Sequence, residues 1–64
     1  MAYHVSLGYS TLMYLIQYMS DELAPTVEII LYDYLRCSII EYNEFLALME
    51  TYRFKCHELD VEVS

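Results

Sequence analysis

The first clear pattern in the chain is a run of apolar residues at helical spacing. One helix face would carry Leu12, Leu15, Ile16, Met19 and Leu23. With Ser10 as an N-cap, this spacing predicts an amphipathic helix over about residues 11–23. Met13, Tyr14 and Tyr18 make much of the other side apolar as well, and a helix that is apolar nearly all round is buried on both sides. In so short a chain, we expect the second side to contact another chain.

A second and a third helix are predicted after Pro25, which cannot continue the first one. Thr26 can cap the second helix. Its inner positions are Val27, Ile30, Leu31, Tyr34 and Leu35. Ser38 and Glu41 have the spacing of a capping box, which predicts a third helix that ends near Tyr52. The inner face of that helix would carry Tyr42, Phe45, Leu46, Met49 and Tyr52.

Both ends of the chain alternate apolar and polar residues, which is typical of half-buried strands. The apolar positions are Tyr3, Val5 and Leu7 at one end, before Gly8, and Leu59, Val61 and Val63 at the other. We therefore expect a mainly α fold, a small three-helix domain with short N- and C-terminal strands that can pair (β-α-α-α-β). An all-α domain is the alternative. In either case, residues 1–64 are expected to form a single domain.

The composition indicates more apolar surface than a chain of this length can bury. Hydrophobic residues make up 58% of the 64 residues, and eight residues are Tyr. A chain this short buries only about 60% of the surface that its unfolded form exposes. We therefore expect part of the apolar surface to face another chain, either a second copy in a homo-oligomer or a different partner.

The formal charge of -7, from ten acidic residues against three basic ones, narrows the class of partner. It argues against direct binding to nucleic acid, because phosphate contacts need Lys and Arg, and against an anionic membrane surface. A larger protein with a basic surface is favoured, for example a nucleic-acid enzyme. The alternative is that the acidic charge only keeps an apolar protein soluble.

The sequence also favours a cytoplasmic location. The N-terminal segment lacks the basic and apolar regions of a signal peptide, and no apolar run approaches the roughly 18 residues of a membrane span. Cys37 and Cys56 have no spacing typical of a disulfide framework, so we expect both thiols to be reduced. A bridge between them is the alternative.

No pattern in the chain predicts catalysis, a metal or a cofactor. Cys37, Cys56, His57 and His4 contain atoms that bind zinc, but they lack the paired spacing of zinc sites. A Cys–His nucleophile would need an orienting residue that the sequence does not indicate. The single glycine, Gly8, argues against the usual phosphate-binding loops. We therefore expect that the protein is not an enzyme.

The stretch DYLRCSIIEYNEFLALME, residues 33–50, resembles part of an EF-hand, the calmodulin-type calcium-binding hand. With Asp33 at loop position 1, Ile40 takes the eighth position, where that family places an aliphatic residue. Glu44 takes the twelfth position, that of the bidentate ligand. The run EFLALM, residues 44–49, is similar to the exit helix of the family.

The ligand positions inside that loop depart from the EF-hand pattern. Leu35 and Cys37 occupy the third and fifth positions, and Ser38 replaces the glycine of the sixth. Leu supplies no oxygen, and a thiol is a soft ligand that calcium avoids. The preferred interpretation is an ordinary amphipathic helix, and the alternative is a metal-free descendant of the EF-hand.

Two groups of side chains are the candidate partner-binding residues. The apolar and aromatic group is Tyr14, Tyr18, Tyr32, Tyr34 and Met13. The acidic group is Glu58, Asp60 and Glu62 on the predicted C-terminal strand, with Glu41, Glu44 and Glu50 on the third helix. Interfaces favour Tyr and Met, and acidic side chains steer association with a basic surface. The alternatives are tyrosines at the core edge and a solvated acidic strand face.

Three functions are compatible with these features. The first is a non-enzymatic interaction protein that binds and blocks or modulates a larger protein. In size, charge and composition, the chain is similar to the small acidic inhibitors that phages encode against host defence or transcription machinery, including anti-CRISPR proteins. The second function is a structural or regulatory homo-oligomer. The third is a metal-free, EF-hand-like light chain that binds a target helix with Phe45 and Met49.

Overall fold

Three α-helices make up most of the structure. The computed structural model describes the backbone of residues 2–63 and the side chains of residues 8–63. In chain order, the helices are α1 (Ala2–Tyr18), α2 (Ala24–Arg36) and α3 (Tyr42–Leu59). The predicted mainly α, three-helix fold is confirmed. The predicted terminal strands are not supported, since no strand occurs within residues 2–63.

The helix α1 differs from its prediction at both ends. Its backbone is already helical over residues 2–7, where a strand is predicted, and the side chains of that segment lie outside the described residues. Ser10 is therefore inside the helix and is not its N-cap. The helix ends at Tyr18 instead of near Leu23, which belongs to a turn before α2. Leu23 therefore leaves the helical register of Leu12 and is exposed.

Gly8 lies inside α1 and marks a close approach between two parts of the chain. It is buried, and a Cβ at this position would meet Ile39 Cγ2 at 2.8 Å and the Ile39 carbonyl oxygen at 3.4 Å. A distance of 2.8 Å is shorter than van der Waals contact, so any larger residue here would require Ile39 to shift. Gly8 therefore serves helix packing here and does not end a strand.

The helix α2 begins three residues earlier than predicted, since Thr26 as the cap would make Val27 its first residue. In the structure, its first residue is Ala24, and Pro25 occupies the first turn. N–H groups of the first turn have no acceptor within the helix, so a proline there removes no hydrogen bond. Leu23 is the N-cap position and makes no capping bond through its side chain. Thr26 is therefore a residue of the first turn and not the cap.

A Schellman motif ends α2. Ser38 has φ 59°, in the left-handed region, and its N–H group donates to the Leu35 carbonyl at 3.0 Å. The N–H group of Ile39 donates to the Tyr34 carbonyl at 2.9 Å. These two bonds give hydrogen-bond donors to carbonyls that would otherwise have none at the end of the helix. Because Ser38 closes α2, it cannot be the N-cap of α3, as the sequence pattern suggests.

The capping box of α3 lies one turn later than predicted. Glu41 is the N-cap residue, and its backbone N–H group donates to Glu44 Oε1 at 2.8 Å. A negative side chain in the first turn also complements the helix dipole. The helix then continues to Leu59, seven residues beyond the predicted end at Tyr52.

A second Schellman motif ends α3 where a strand is predicted. Asp60 has φ 61° and donates to the His57 carbonyl at 3.1 Å, while Val61 donates to the Cys56 carbonyl at 2.8 Å. Leu59, Val61 and Val63 are half-buried against the core. The alternation therefore predicts their burial correctly, but Leu59 ends a helix and residues 61–63 form no regular structure.

The core lies between the three helices. Its buried members are Leu12, Ile16, Met19, Ala24, Val27, Leu31, Ile40, Phe45, Leu48, Met49, Tyr52 and Cys56. Eight of these belong to the predicted inner faces. Tyr42 and Leu46 were also predicted to face the core, but both are exposed, because the buried face of α3 is centred on the line from Phe45 through Met49 and Tyr52. Leu15 is also more exposed than predicted.

Candidate partner-binding surfaces

Many large apolar side chains are exposed on the folded chain. Among residues 8–63, they are Tyr14, Leu15, Tyr18, Leu23, Ile29, Tyr32, Ile39, Tyr42, Leu46 and Phe54. Single exposed apolar residues are normal on a protein surface, and only a group of neighbouring ones indicates a binding site. The position of each residue relative to the others is therefore the relevant observation.

Tyr14 and Tyr18 form one such group on the outer side of α1. Their side chains are 63% and 72% exposed, and their ring centroids are 4.6 Å apart with a tilt of 40° between the planes. Residues four apart on a helix are surface neighbours, and contact between the rings limits the freedom of each. This pair agrees with the predicted grouping of the two tyrosines. Met13 is half-buried and packs against the core instead.

A second group, which we call the α2–α3 patch, consists of Ile29, Tyr32, Tyr42 and Leu46. It is built around Phe45, a core residue whose ring centroid is 5.1 Å from that of Tyr32 and 6.5 Å from that of Tyr42. Ile29 lies one turn before Tyr32, and Leu46 lies one turn after Tyr42. All four side chains of the patch are exposed.

Beside the α2–α3 patch, the outer side of α2 has an open depression of about 510 Å³. Its lining residues are Glu28, Ile29, Tyr32, Asp33, Leu35 and Arg36. All of them belong to one helix, so this is a shallow surface feature and not an enclosed ligand cavity. Such a shape suits contact with a protein surface better than the binding of a small molecule.

The five predicted apolar and aromatic residues thus do not form one surface. Tyr14 and Tyr18 lie together on α1, whereas Tyr32 belongs to the α2–α3 patch. Tyr34 and Met13 are half-buried against the core. The sequence prediction missed Ile29, Tyr42 and Leu46. The signal that could have found them is spacing, since Ile29, Tyr32 and Arg36 follow one line along α2, as Tyr42, Leu46 and Arg53 do along α3.

The predicted acidic residues lie in different parts of the molecule. Tyr52 on α3 bonds to Ala24 at the start of α2, so the residues that follow Tyr52 lie beside the turn that precedes Ala24. Ile16 and Gln17, near the end of α1, border the same groove as Glu58. Five exposed acidic residues therefore lie at one end of the bundle, which we call the acidic end: Asp21, Glu22, Glu58, Asp60 and Glu62.

The acidic end includes three of the predicted acidic residues and two that the prediction missed, Asp21 and Glu22. They were missed because sequence position alone does not place the α1–α2 turn beside the end of α3. One cation lies close by: Lys55 Nζ is 3.1 Å from Glu58 Oε1. An ion pair at the surface contributes little stability, and one positive charge offsets one of the five negative charges.

The other predicted acidic residues lie elsewhere on α3. Glu41 and Glu44 form the capping box at the opposite end of the helix, so the Glu44 carboxylate already has a backbone partner. Glu50 is exposed on the middle of α3. The structure therefore does not bring the six predicted acidic residues into one face.

The span that resembles an EF-hand has a different geometry. Asp33 and Leu35, at loop positions 1 and 3, are still within α2, and only residues 37–41 connect α2 to α3. The Asp33 carboxylate pairs with the Arg36 guanidinium, and hydrogen bonding to Asp33 raises the pKa of Arg36. An EF-hand needs a twelve-residue loop whose oxygens converge on one ion. This connection does not support a light-chain function.

Chemical sites of other kinds are not indicated. Among the residues that the structure describes, no group of three His, Cys, Asp or Glu side chains is arranged to hold a metal ion. Cys37 is exposed and Cys56 is buried, and both are free thiols. No helix in the described part of the chain is long and apolar enough to span a bilayer.

Comparisons of the chain with models of protein families, with curated proteins and with solved structures found no match. Function is therefore argued from the surface of the molecule itself.

Proposed function

We propose that this chain is a non-enzymatic interaction protein that binds a larger protein at a basic surface and blocks or modulates it. The observation that carries the proposal is the acidic end, since five exposed acidic residues belong to the same end of the bundle. A surface of one sign attracts a partner of the other sign and raises the rate of encounter.

Exposed apolar side chains beside the acidic end support the same proposal. Tyr18, whose ring contacts that of Tyr14, is the last residue of α1, and Leu23 belongs to the turn that carries Asp21. Phe54 is 73% exposed and borders the groove between α1 and α3 that Glu58 also lines. Interfaces owe most of their affinity to a few buried aromatic or apolar anchors, while charged residues at the rim contribute rate and specificity.

The partner that best fits this combination is a protein that handles nucleic acid. Its phosphate-binding surface carries Lys and Arg, and carboxylates can occupy such a surface in place of phosphates. The consequence for that partner is competition, since nucleic acid and this chain would need the same basic side chains. A phage-type inhibitor acting in the cytoplasm is the biological setting that we propose for this activity.

Affinity capture combined with a pair of charge variants tests the proposal. The tagged chain is immobilised, a nuclease-treated lysate of its native or host cell is passed over it, and bound proteins are eluted with rising NaCl and identified by mass spectrometry. We expect a basic, nucleic-acid-handling protein that elutes as salt rises, because salt screens charges over about 8 Å at physiological ionic strength.

The variants then assign the binding to the acidic end. Glu58→Ser with Glu62→Ser should slow association with the purified partner about tenfold at low salt, because steering is lost. Glu41→Ser with Glu50→Ser removes the same charge elsewhere and should change the rate by less than about twofold. Asp60 is left unchanged because Asp tolerates its left-handed backbone better than Ser. Equal effects of the two variants, or recovery of the bait alone, would refute the proposal.

A further inference from the structure

The α2–α3 patch lies apart from the acidic end and differs from it in charge. The exposed side chains of the patch form one row on α2 and another on α3, and two of the three basic residues of the chain extend these rows. Arg36 follows Ile29 and Tyr32 on α2. Arg53 follows Tyr42 and Leu46 on α3. Acidic residues lie beside them, Glu28 and Asp33 around the depression on α2, and Glu50 one turn after Leu46. This side of the molecule therefore carries both signs of charge around an apolar centre.

We propose that the α2–α3 patch joins two copies of the chain in a two-fold dimer. In such a dimer the same surface is used by both copies, so it must be complementary to itself. A surface with both signs of charge meets this condition, because a rotation can bring Arg53 of one copy to acidic residues of the other, while Arg36 pairs with Asp33 within its own chain. The acidic end does not meet it, since two acidic ends repel each other.

The shape of the patch fits the same occupant, and the chain has enough surface for such an interface. Helix faces pair when side chains of one fill the spaces between side chains of the other, and the depression of about 510 Å³ beside Ile29 and Tyr32 offers such a space. A stable interface removes about 800 Å² from each partner. The accessible surface of one chain is 4677 Å², so less than a fifth of it is sufficient.

The dependence on salt distinguishes this dimer from the proposed binding to a basic partner. Each copy carries a net charge of -7, so two copies repel each other at long range while their apolar side chains attract at contact. Added salt screens the repulsion and should strengthen the dimer, whereas it should weaken binding to a basic partner. The dimer does not depend on the proposed function, because it uses another surface and has the opposite salt response.

Analytical ultracentrifugation of the whole chain tests the inference at about 0.05 M and about 0.5 M NaCl, on either side of physiological ionic strength. The expected result is a mass that approaches twice 7.6 kDa as protein concentration rises, with tighter association at the higher salt. A mass of 7.6 kDa at every concentration and at both salts would overturn the inference, as would association that weakens with salt.

Two matched pairs of variants locate the interface. Tyr32→Ser with Tyr42→Ser should weaken the dimer at least about tenfold, while Tyr14→Ser with Tyr18→Ser should change it less than about twofold. Arg53→Glu should weaken it more than Lys55→Glu, although both make the same change in net charge. Circular dichroism checks that each variant is folded. Equal effects within either pair would place the contact elsewhere and overturn the inference.

Discussion

The hydroxyl group of Tyr52, in the middle of α3, donates a hydrogen bond of 2.7 Å to the backbone carbonyl of Ala24, the first residue of α2. Tyr52 is only 2% exposed. The bond therefore satisfies a polar group inside the core and fixes the start of α2 against α3. It also sets the geometry of the acidic end, because it places the α1–α2 turn beside the last turns of α3.

Removing this hydroxyl group should lower the stability of the fold. We expect Tyr52→Phe to reduce the free energy of unfolding by about 1 kcal/mol, since a hydrogen bond inside a protein contributes about that much. Urea unfolding followed by circular dichroism measures the change. Tyr14→Phe is the control, because its side chain is exposed, and it should change stability by less than about 0.5 kcal/mol. Equal losses in both variants would contradict the role given to Tyr52.

Stability should also fall in alkaline solution because of Tyr52. Burial raises the pKa of Tyr52 above its ordinary value near 10, and its contact with Cys56 acts in the same direction. Above about pH 10 the unfolded chain loses this proton while the folded chain keeps it, so the free energy of unfolding decreases with pH. Below that pH, the contribution is fully present.

The pH effect is separated from other titrations by comparison with Tyr52→Phe. For each pH unit above pH 10, the free energy of unfolding of the wild type should decrease by up to about 1.4 kcal/mol more than that of the variant. Urea unfolding of both proteins at several pH values between about 8 and 11 provides the measurement. Parallel curves for the two proteins would show that Tyr52 does not titrate differently in the folded state.

Gly8→Ala should destabilise the fold, although alanine favours a helix by about 1 kcal/mol over glycine. The new Cβ would lie 2.8 Å from Ile39 Cγ2, so the Ile39 side chain or the connection that carries it must shift. We expect a net loss of about 1 kcal/mol in the free energy of unfolding. Ile39→Ala removes the opposing atom. The decrease in the free energy of unfolding of the double variant should therefore be smaller than the sum of the decreases of the two single variants. A stabilising effect of Gly8→Ala alone would exclude the close approach.

Ser38→Gly should stabilise the fold by about 0.5–1 kcal/mol, because glycine adopts the left-handed backbone without the strain that a Cβ causes. Ser38 has φ 59° at the end of α2. Ser20→Gly is the matched control, since Ser20 is outside the helices and has no left-handed backbone. It should be neutral or destabilising, because glycine increases the freedom of the unfolded chain. Thermal unfolding of the two variants compares these effects.

The existence of three helices and much of the core could be predicted from the sequence. Leu12 and Ile16 on α1, Met19 directly after it, and Val27 and Leu31 on α2 are buried as their spacing predicts. Helical periodicity is a local property, since side chains three and four residues apart share one face wherever the helix lies. For this reason, the prediction of these faces did not depend on knowing which helices pack together.

The helix ends and the surface depended on contacts between distant residues. Gly8 is a helical residue of α1 that lies against Ile39, and Leu59, the first residue of the alternating tail, ends α3 beside the core. The predicted partner-binding residues likewise lie on different surfaces, because packing places Tyr32 against Phe45 and puts Asp21 at the same end of the bundle as Glu58. Residue type and spacing determined which side chains were apolar or charged. Only the packing of the helices decided which of them became neighbours, because it joins residues that are far apart in the chain.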